Sequence, residues 1–133
     1  VGLATRPLVV MDPEKLPEAF DELARDRPDA LIVQPSLPRK RVAEMARSAN
    51  IPALSVANGF IHEGGLISYA ASEPDLYRRA AAIADKVLKG TPPSQIPIEL
   101  PSKYELQVNL KTARALGLTV PEHVLARADE LIE

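Results

Sequence analysis

The chain contains no cysteine and no tryptophan, and aromatic residues make up only 4% of its 133 residues. The absence of cysteine excludes a disulfide scaffold, a thiolate metal site and a cysteine nucleophile. Charge of one sign is also lacking, with 16 basic against 18 acidic residues. This balance argues against a nucleic-acid-binding protein that works through bulk positive charge. No apolar run approaches the roughly 20 residues of a transmembrane helix.

The motifs that usually carry catalysis or cofactor binding are missing as well. The sequence has no Walker-type loop, no G-x-G-x-x-G after a strand, no G-x-S-x-G and no zinc-binding spacing. We interpret Gly64 and Gly65 as a tight turn, because no lysine follows them and a strand comes next. For His62 and His123, a surface or capping role is favoured over a two-histidine metal site. We therefore expect no enzymatic activity, no metal and no cofactor.

Hydrophobic residues make up 46% of the chain, which is enough for the packed core of one domain. Short apolar runs predict buried strands at residues 8–11, 30–33, 53–57 and 66–70. Amphipathic stretches that begin near Pro13 and Pro38 predict helices between the first three strands. Crossover helices of this kind make the strands parallel. The expected fold class is α/β, an open parallel sheet in three layers with flanking helices.

A longer helix is predicted over residues 72–89. Ser72 and Asp75 have the spacing of a capping box, and Gly90 follows the helix as a left-handed C-terminal residue. The inner face of this helix is rich in alanine. Its predicted buried stripe consists of Leu76, Ala80, Ile83, Ala84, Val87 and Leu88.

The last third of the chain has a different pattern. Residues 96–101 are extended but interrupted by prolines, which allow only an edge or an isolated strand. Residues 104–110 alternate strictly, which predicts a strand with one buried face and one wet face. A short helix is predicted to end at Gly117. A final amphipathic helix is predicted to bury Val124, Leu125, Ala128, Leu131 and Ile132.

Polar side chains follow the predicted parallel strands where those strands end. In open α/β sheets, ligands bind beyond the carboxyl ends of the strands. The candidates for ligand contact are neutral hydrogen-bonding groups and one aromatic ring, namely Gln34, Ser36, Asn58, Ser68 and Tyr69. For each residue alone the alternative is structural, such as a helix cap, a turn or core filling. The shared location of the group favours a surface that orients a small ligand without covalent chemistry.

Several segments, in order, resemble the second half of substrate-binding proteins of ABC importers, of the tryptophan- and tyrosine-type group. They are DALIV at 29–33, VAEMA at 42–46, IPA at 51–53 and EGGLISY at 63–69. The resemblance continues through DLYRRAA at 75–81, DKVLKG at 85–90, IPIELP at 96–101 and NLKTARALGLTVP at 109–121. It covers the chain from about Ala30 to its end, and the segment 109–121 is its most specific part.

The resemblance implies a type I periplasmic-binding fold with two α/β lobes, a cleft between them and crossing segments. Residues 1–68 would form the core of the second lobe. Residues 69–102 would hold a crossing segment and a helix that packs on the first lobe. Residues 103–133 would supply a return strand and C-terminal helices. The implied function is the periplasmic or extracytoplasmic substrate-binding component of an ABC importer. It would bind a small organic solute such as an amino acid, deliver it to a membrane permease and have no nucleic-acid partner.

The chain begins without an initiator methionine and without a visible secretory signal, which favours a processed or truncated piece of a longer protein. Without the first lobe, the apolar stripe of the 72–89 helix would lose its partner surface. We therefore expect self-association as a dimer. The alternative function is a ligand-sensing effector domain of a transcription regulator with the same fold. A DNA-binding segment upstream would distinguish the two.

Overall fold

The computed structural model describes residues 2–133. The α-helices in chain order are α1 Leu16–Asp26, α2 Arg39–Ser48, α3 Glu73–Leu88, α4 Leu110–Ala115 and α5 Glu122–Leu125. The strands are β1 Leu31–Val33, β2 Ala53–Ser55, β3 Ile67–Ala71, β4 Tyr104–Asn109 and β5 Glu130–Ile132. Short 3-10 turns span Pro13–Lys15, Phe60–Glu63 and Pro93–Gln95. None of the helices in residues 2–133 is both long enough and apolar enough to cross a membrane.

The five strands form one sheet in the order β1-β2-β3-β4-β5. β1, β2 and β3 are mutually parallel, β4 runs antiparallel to β3, and β5 is parallel to β4. The predicted α/β fold class is confirmed, as a mostly parallel sheet flanked by helices. The antiparallel step gives the sheet two sets of carboxyl ends, because β4 and β5 end where β3 begins.

The core lies between this sheet and the two helices α1 and α2. Each helix contributes one apolar face, as its periodicity predicts. The buried residues form one hydrophobic core cluster, which includes Leu16, Phe20, Leu23, Val33, Val42, Ala46, Ile51 and Phe60. The Phe60 ring is completely buried, and it lies directly against Gly65. A Cβ atom at Gly65 would stand 2.2 Å from the ring, so this position needs glycine because of close packing.

Residues 8–11 do not form the predicted strand. They have no partner in the sheet and lie along α1, where Leu8 and Val10 pack partly against the core cluster. Val9 and Met11 are 74% and 89% exposed. The apolar run is therefore half-buried against helix side chains, and its hydrophobicity alone was no evidence for a backbone partner.

The predicted final helix is also wrong in its second half. α5 ends at Leu125, and the chain then forms β5 beside β4. Asp129 makes the junction, because its amide donates to the Leu106 carbonyl at 2.7 Å and its carboxylate accepts from the Leu106 amide at 2.8 Å. The free backbone edge of β4 gains hydrogen-bond partners in this way, and a continued helix would have left that edge unpaired.

β4 is a strand as predicted, but its inner half has no wet face. Gln107, Val108 and Asn109 are all buried. The Gln107 carboxamide oxygen accepts from the Gly59 amide at 3.0 Å, and the Asn109 carboxamide donates to the Ile61 carbonyl at 2.8 Å. The polar side chains of the alternation are thus satisfied by the 59–61 backbone instead of by water.

α3 is helical over nearly the predicted range, and Ser72 occupies its N-cap position. The predicted capping hydrogen bond is absent. The Ser72 amide donates to the Lys103 carbonyl, and the Asp75 carboxylate pairs with Arg78 and Arg79. No residue of α3 is buried. Within residues 2–133, the apolar stripe of this helix therefore has no partner surface.

Candidate functional site

The carboxyl ends of β1 and β2 meet the middle of β3 in one row across the sheet. Val33 pairs with Ser55, and Ser55 pairs with Ser68. β3 continues beyond this row by three residues that pair only with β4. Gln34 and Tyr69 each follow directly after a member of the row, so the parallel register brings them to the same edge of the sheet.

Gln34 and Ser36 lie in the turn that leads from β1 towards α2. Both side chains are exposed, and the turn is closed by a 3.3 Å hydrogen bond from the Leu37 amide to the Gln34 carbonyl. Neither residue is the N-cap of α2, since Pro38 holds that position. Neither side chain therefore caps α2, which is the structural alternative to ligand contact.

Ser68 and Ser55 are buried beneath this edge. Ser68 has no exposed surface, and its hydroxyl donates to the Ala57 carbonyl. The Ser55 hydroxyl donates to the Val33 carbonyl at 2.9 Å and accepts from the Ala57 amide at 3.3 Å. Both hydroxyls hold the backbone that precedes Asn58. Ser68 therefore contributes to the edge indirectly, by fixing the Ala57–Asn58 backbone.

Asn58 is held at the edge by several contacts. Its side-chain carboxamide nitrogen donates to the Ala71 carbonyl at 2.8 Å, and its backbone carbonyl accepts from the Arg39 guanidinium at 3.2 Å. Arg39 also pairs with Glu63 at 3.1 Å, which balances its charge. The Asn58 Oδ1 atom is buried and has no hydrogen-bond partner among the described residues. An unpaired buried acceptor is costly, and a donor group on a ligand would satisfy it.

Tyr69 lies on β3 and stacks on Tyr104 at the start of β4. The ring centroids are 5.6 Å apart and the planes differ by 23°. Both rings are about half exposed, at 51% and 47%, so the pair does not fill the core. Ala71, which accepts from Asn58, is the register partner of Tyr104. The residue that holds the Asn58 carboxamide is therefore the cross-strand partner of one ring of the aromatic pair.

Three residues near this edge were not among those predicted from the sequence, namely Arg39, Tyr104 and Gln107. Tyr104 belongs to a strand predicted correctly, and the available signal was its aromatic side chain at the start of a strand in a chain with three tyrosines. Gln107 carries a bridge from the Gly59 amide to Glu130, at 3.0 and 2.8 Å. No local pattern reveals such a bridge, because its partners are 48 and 23 residues away.

The edge offers hydrogen-bonding groups and aromatic surface. Its exposed side chains from Gln34, Ser36, Tyr69 and Tyr104 are uncharged, and the guanidinium of Arg39 is paired with Glu63. Residues 2–133 hold no group of three or more His, Asp or Glu side chains that could bind a metal ion. Stacking and neutral hydrogen bonds suit recognition of a small organic molecule.

A family model described as ABC transporter substrate binding protein matches residues 2–132. No curated protein matches the sequence. Among solved structures, a conserved domain protein from Vibrio cholerae has a TM-score of 0.80 at 20% identity. The ABC domain from Streptococcus pneumoniae, solved in complex with L-Trp, has a TM-score of 0.78 at 26% identity.

A substrate-binding protein with adhesive properties from Clostridium difficile, in a ligand-free and open state, has a TM-score of 0.69 at 19% identity. In each comparison 92% of this chain is covered, against 42%, 44% and 42% of the solved chains. The chain thus spans less than half the length of these structures. Since the family match extends over nearly all of its residues, the chain belongs to the ABC transporter substrate-binding protein family.

Proposed function

We propose that this chain forms one wall of the solute-binding site of an ABC importer's substrate-binding protein. The wall is the edge beyond β1, β2 and β3, with Gln34, Ser36, Asn58 and Tyr69 as ligand contacts. Ser68 supports the wall from below. The remainder of the site would come from residues outside this chain, because the solved relatives are more than twice as long.

The observation that carries this proposal is the buried, unpartnered Asn58 Oδ1, on a side chain bonded to Ala71, the cross-strand partner of the stacked Tyr104. A ligand that donates an N–H or O–H would satisfy the oxygen. A planar or aromatic group on the same ligand would cover the exposed ring surface of Tyr69 and Tyr104. Together the two features select a small molecule with one polar donor and one flat apolar part.

An amino acid with an aromatic side chain meets both requirements. Its ammonium group is a hydrogen-bond donor, and its ring can stack on a tyrosine. The Streptococcus pneumoniae relative was solved with L-Trp, which supports the same ligand class here. No step of bond making or breaking is part of the proposal, so the solute leaves unchanged for a permease in the membrane. Family membership supports an extracytoplasmic location for this role.

Isothermal titration calorimetry with L-Trp on the full-length protein tests the proposal. Asn58→Ala and Tyr69→Ala should each weaken binding by up to about tenfold, as expected for the loss of one neutral hydrogen bond or one stacking contact. Gln34→Ala should have a smaller effect, because its side chain is exposed. The bound L-Trp should be recovered chemically unchanged.

Tyr77→Ala is the matched control. Tyr77 is 73% exposed on α3 and is not one of the proposed contact residues, so removal of this aromatic ring should leave the dissociation constant as in the wild type. Equal affinity for wild type, Asn58→Ala, Tyr69→Ala and Gln34→Ala would show that the assigned edge is not the binding wall. Recovery of a product in place of L-Trp would refute a purely binding role.

A further inference from the structure

The sheet has a second set of carboxyl ends, at the opposite end from Asn58. β4 ends at Asn109 and β5 ends at Ile132, next to each other in register. Because β4 is antiparallel to β3, this end lies beside Leu66 and the start of β3. The rule that ligands bind beyond strand carboxyl ends therefore points to two places in this sheet. The proposed solute wall occupies only the first.

A cavity of about 380 Å³ opens at this second end. This volume lies within the range of small-molecule pockets. Ile61, Ala115 and Ile132 supply apolar lining, while Arg47, His62 and Lys111 supply basic side chains. No acidic side chain lines the cavity.

The two strongest cations of the lining are not neutralised by acidic side chains. Neither Arg47 nor Lys111 forms a salt bridge within residues 2–133. Arg47 lies over Gly64, since a Cβ atom there would stand 3.7 Å from its Nη1 atom. Glu130 reaches the lining only through His62, at 2.9 Å, and its other oxygen accepts from Gln107.

The neutral polar groups of the lining are already engaged in the fold. Asn109 donates to the Ile61 carbonyl and accepts from the Thr112 amide, both at 2.8 Å. The Thr112 hydroxyl donates to the Gly64 carbonyl at 3.1 Å. These bonds fix the cavity walls. The groups of the lining that remain available to a ligand are therefore the cationic donors of Arg47 and Lys111. Such donors select an anion, because charge-assisted hydrogen bonds are stronger than neutral ones.

We propose that this cavity is a second ligand site that binds a small oxyanion, a carboxylate or phosphate group, between Arg47 and Lys111. The guanidinium of Arg47 offers a planar pair of donors that fits either group. The apolar wall favours an organic anion over an inorganic one of the same charge. A concave cavity with a mixed lining suits a small molecule better than a flat acidic protein surface.

Calorimetry and NMR titration of the full chain with succinate and with inorganic phosphate, at low ionic strength, test this site. Both probes should saturate one site and compete for it. Arg47→Gln and Lys111→Gln should each weaken binding by about tenfold, and amide shifts should centre on residues 61–64 and 109–112. Tighter binding of succinate would identify the source as an organic anion, and tighter binding of phosphate would identify an inorganic one.

Arg114→Gln and Lys86→Gln are matched controls, because each removes the same charge from an exposed residue outside the cavity. They should leave the affinity unchanged. Equal weakening by the control and cavity variants would overturn the proposal in favour of diffuse attraction, as would no saturable binding of either probe. L-Trp affinity should be unaffected by Arg47→Gln, so this site and the solute wall succeed or fail separately.

Discussion

Two amphipathic helices of this chain differ in how far their apolar faces are buried. α1 buries Leu16, Ala19, Phe20 and Leu23 against the core, whereas α3, which is longer, buries no residue. The same contrast holds for the regions around them. Every buried residue of the described chain lies outside the segment 73–102. An apolar stripe at helical spacing therefore indicates that a helix needs a partner, but not that the partner lies within the same chain.

The two ends of the segment 73–102 are joined at the core. The Ser72 amide donates to the Lys103 carbonyl at 3.0 Å, just beyond the last pair of the β3–β4 ladder. Within the segment, Arg79 joins α3 to the returning chain through Glu99 and Ser102. We propose that the segment belongs to the neighbouring lobe, as the resemblance implied, and that the isolated chain covers the stripe by self-association.

The largest difference between the two regions should come from truncating one large side chain in each. Phe60→Ala should lower the free energy of unfolding by about 3–5 kcal/mol, because it leaves a cavity in a fully buried site. Leu88→Ala removes a side chain that is 86% exposed and should change stability by less than about 0.5 kcal/mol. Urea unfolding followed by circular dichroism, at protein concentrations where the chain is monomeric, measures both. Similar losses would show that α3 packs within the monomer.

A charge placed in the stripe should weaken self-association of the chain. Leu76→Glu combined with Ile83→Glu should raise the dimer dissociation constant at least about thirtyfold, because burying a carboxylate without a partner costs more than 2 kcal/mol. Sedimentation velocity over a dilution series gives the constant. Ala82→Glu adds one carboxylate on the other face of α3 and should leave the constant unchanged. A wild-type chain that is monomeric at every concentration would refute the dimer.

The smallest effect concerns the integrity of the segment itself. Arg79→Gln removes ion pairs with Asp75 and Glu99, both at 3.0 Å, and should cost about 1 kcal/mol or less. The loss should appear as faster hydrogen exchange in residues 96–102, with the core amides unaffected. Arg78→Gln, which breaks one pair of a side chain that is 74% exposed, should leave exchange unchanged. Faster exchange of the core amides after Arg79→Gln would mean that the two regions are coupled.

Much of the candidate site followed from short patterns in the sequence. Gln34 comes directly after β1 and Asn58 three residues after the end of β2, and strand ends are set by local hydrophobicity and turn residues. Tyr104 was missed because its role depends on Tyr69, which reaches it only through the β3–β4 register. Ser68 was predicted as a ligand contact, but in the structure its side chain is fully buried and its hydroxyl donates to the Ala57 carbonyl.

The sequence by itself determined the α/β class, the three parallel strands, the extents of α1, α2 and α3, and the polar residues after the strands. These features depend on periodicity and on proline and glycine signals within a few residues, so they can be predicted without knowledge of the fold. Tertiary structure alone decided that residues 8–11 pack against α1 without forming a strand, and that residues 130–132 form a strand. It also decided that α3 remains uncovered in this chain. Each of these outcomes depends on which distant surface is present to pair with, and backbone edges and apolar stripes do not specify their partner locally.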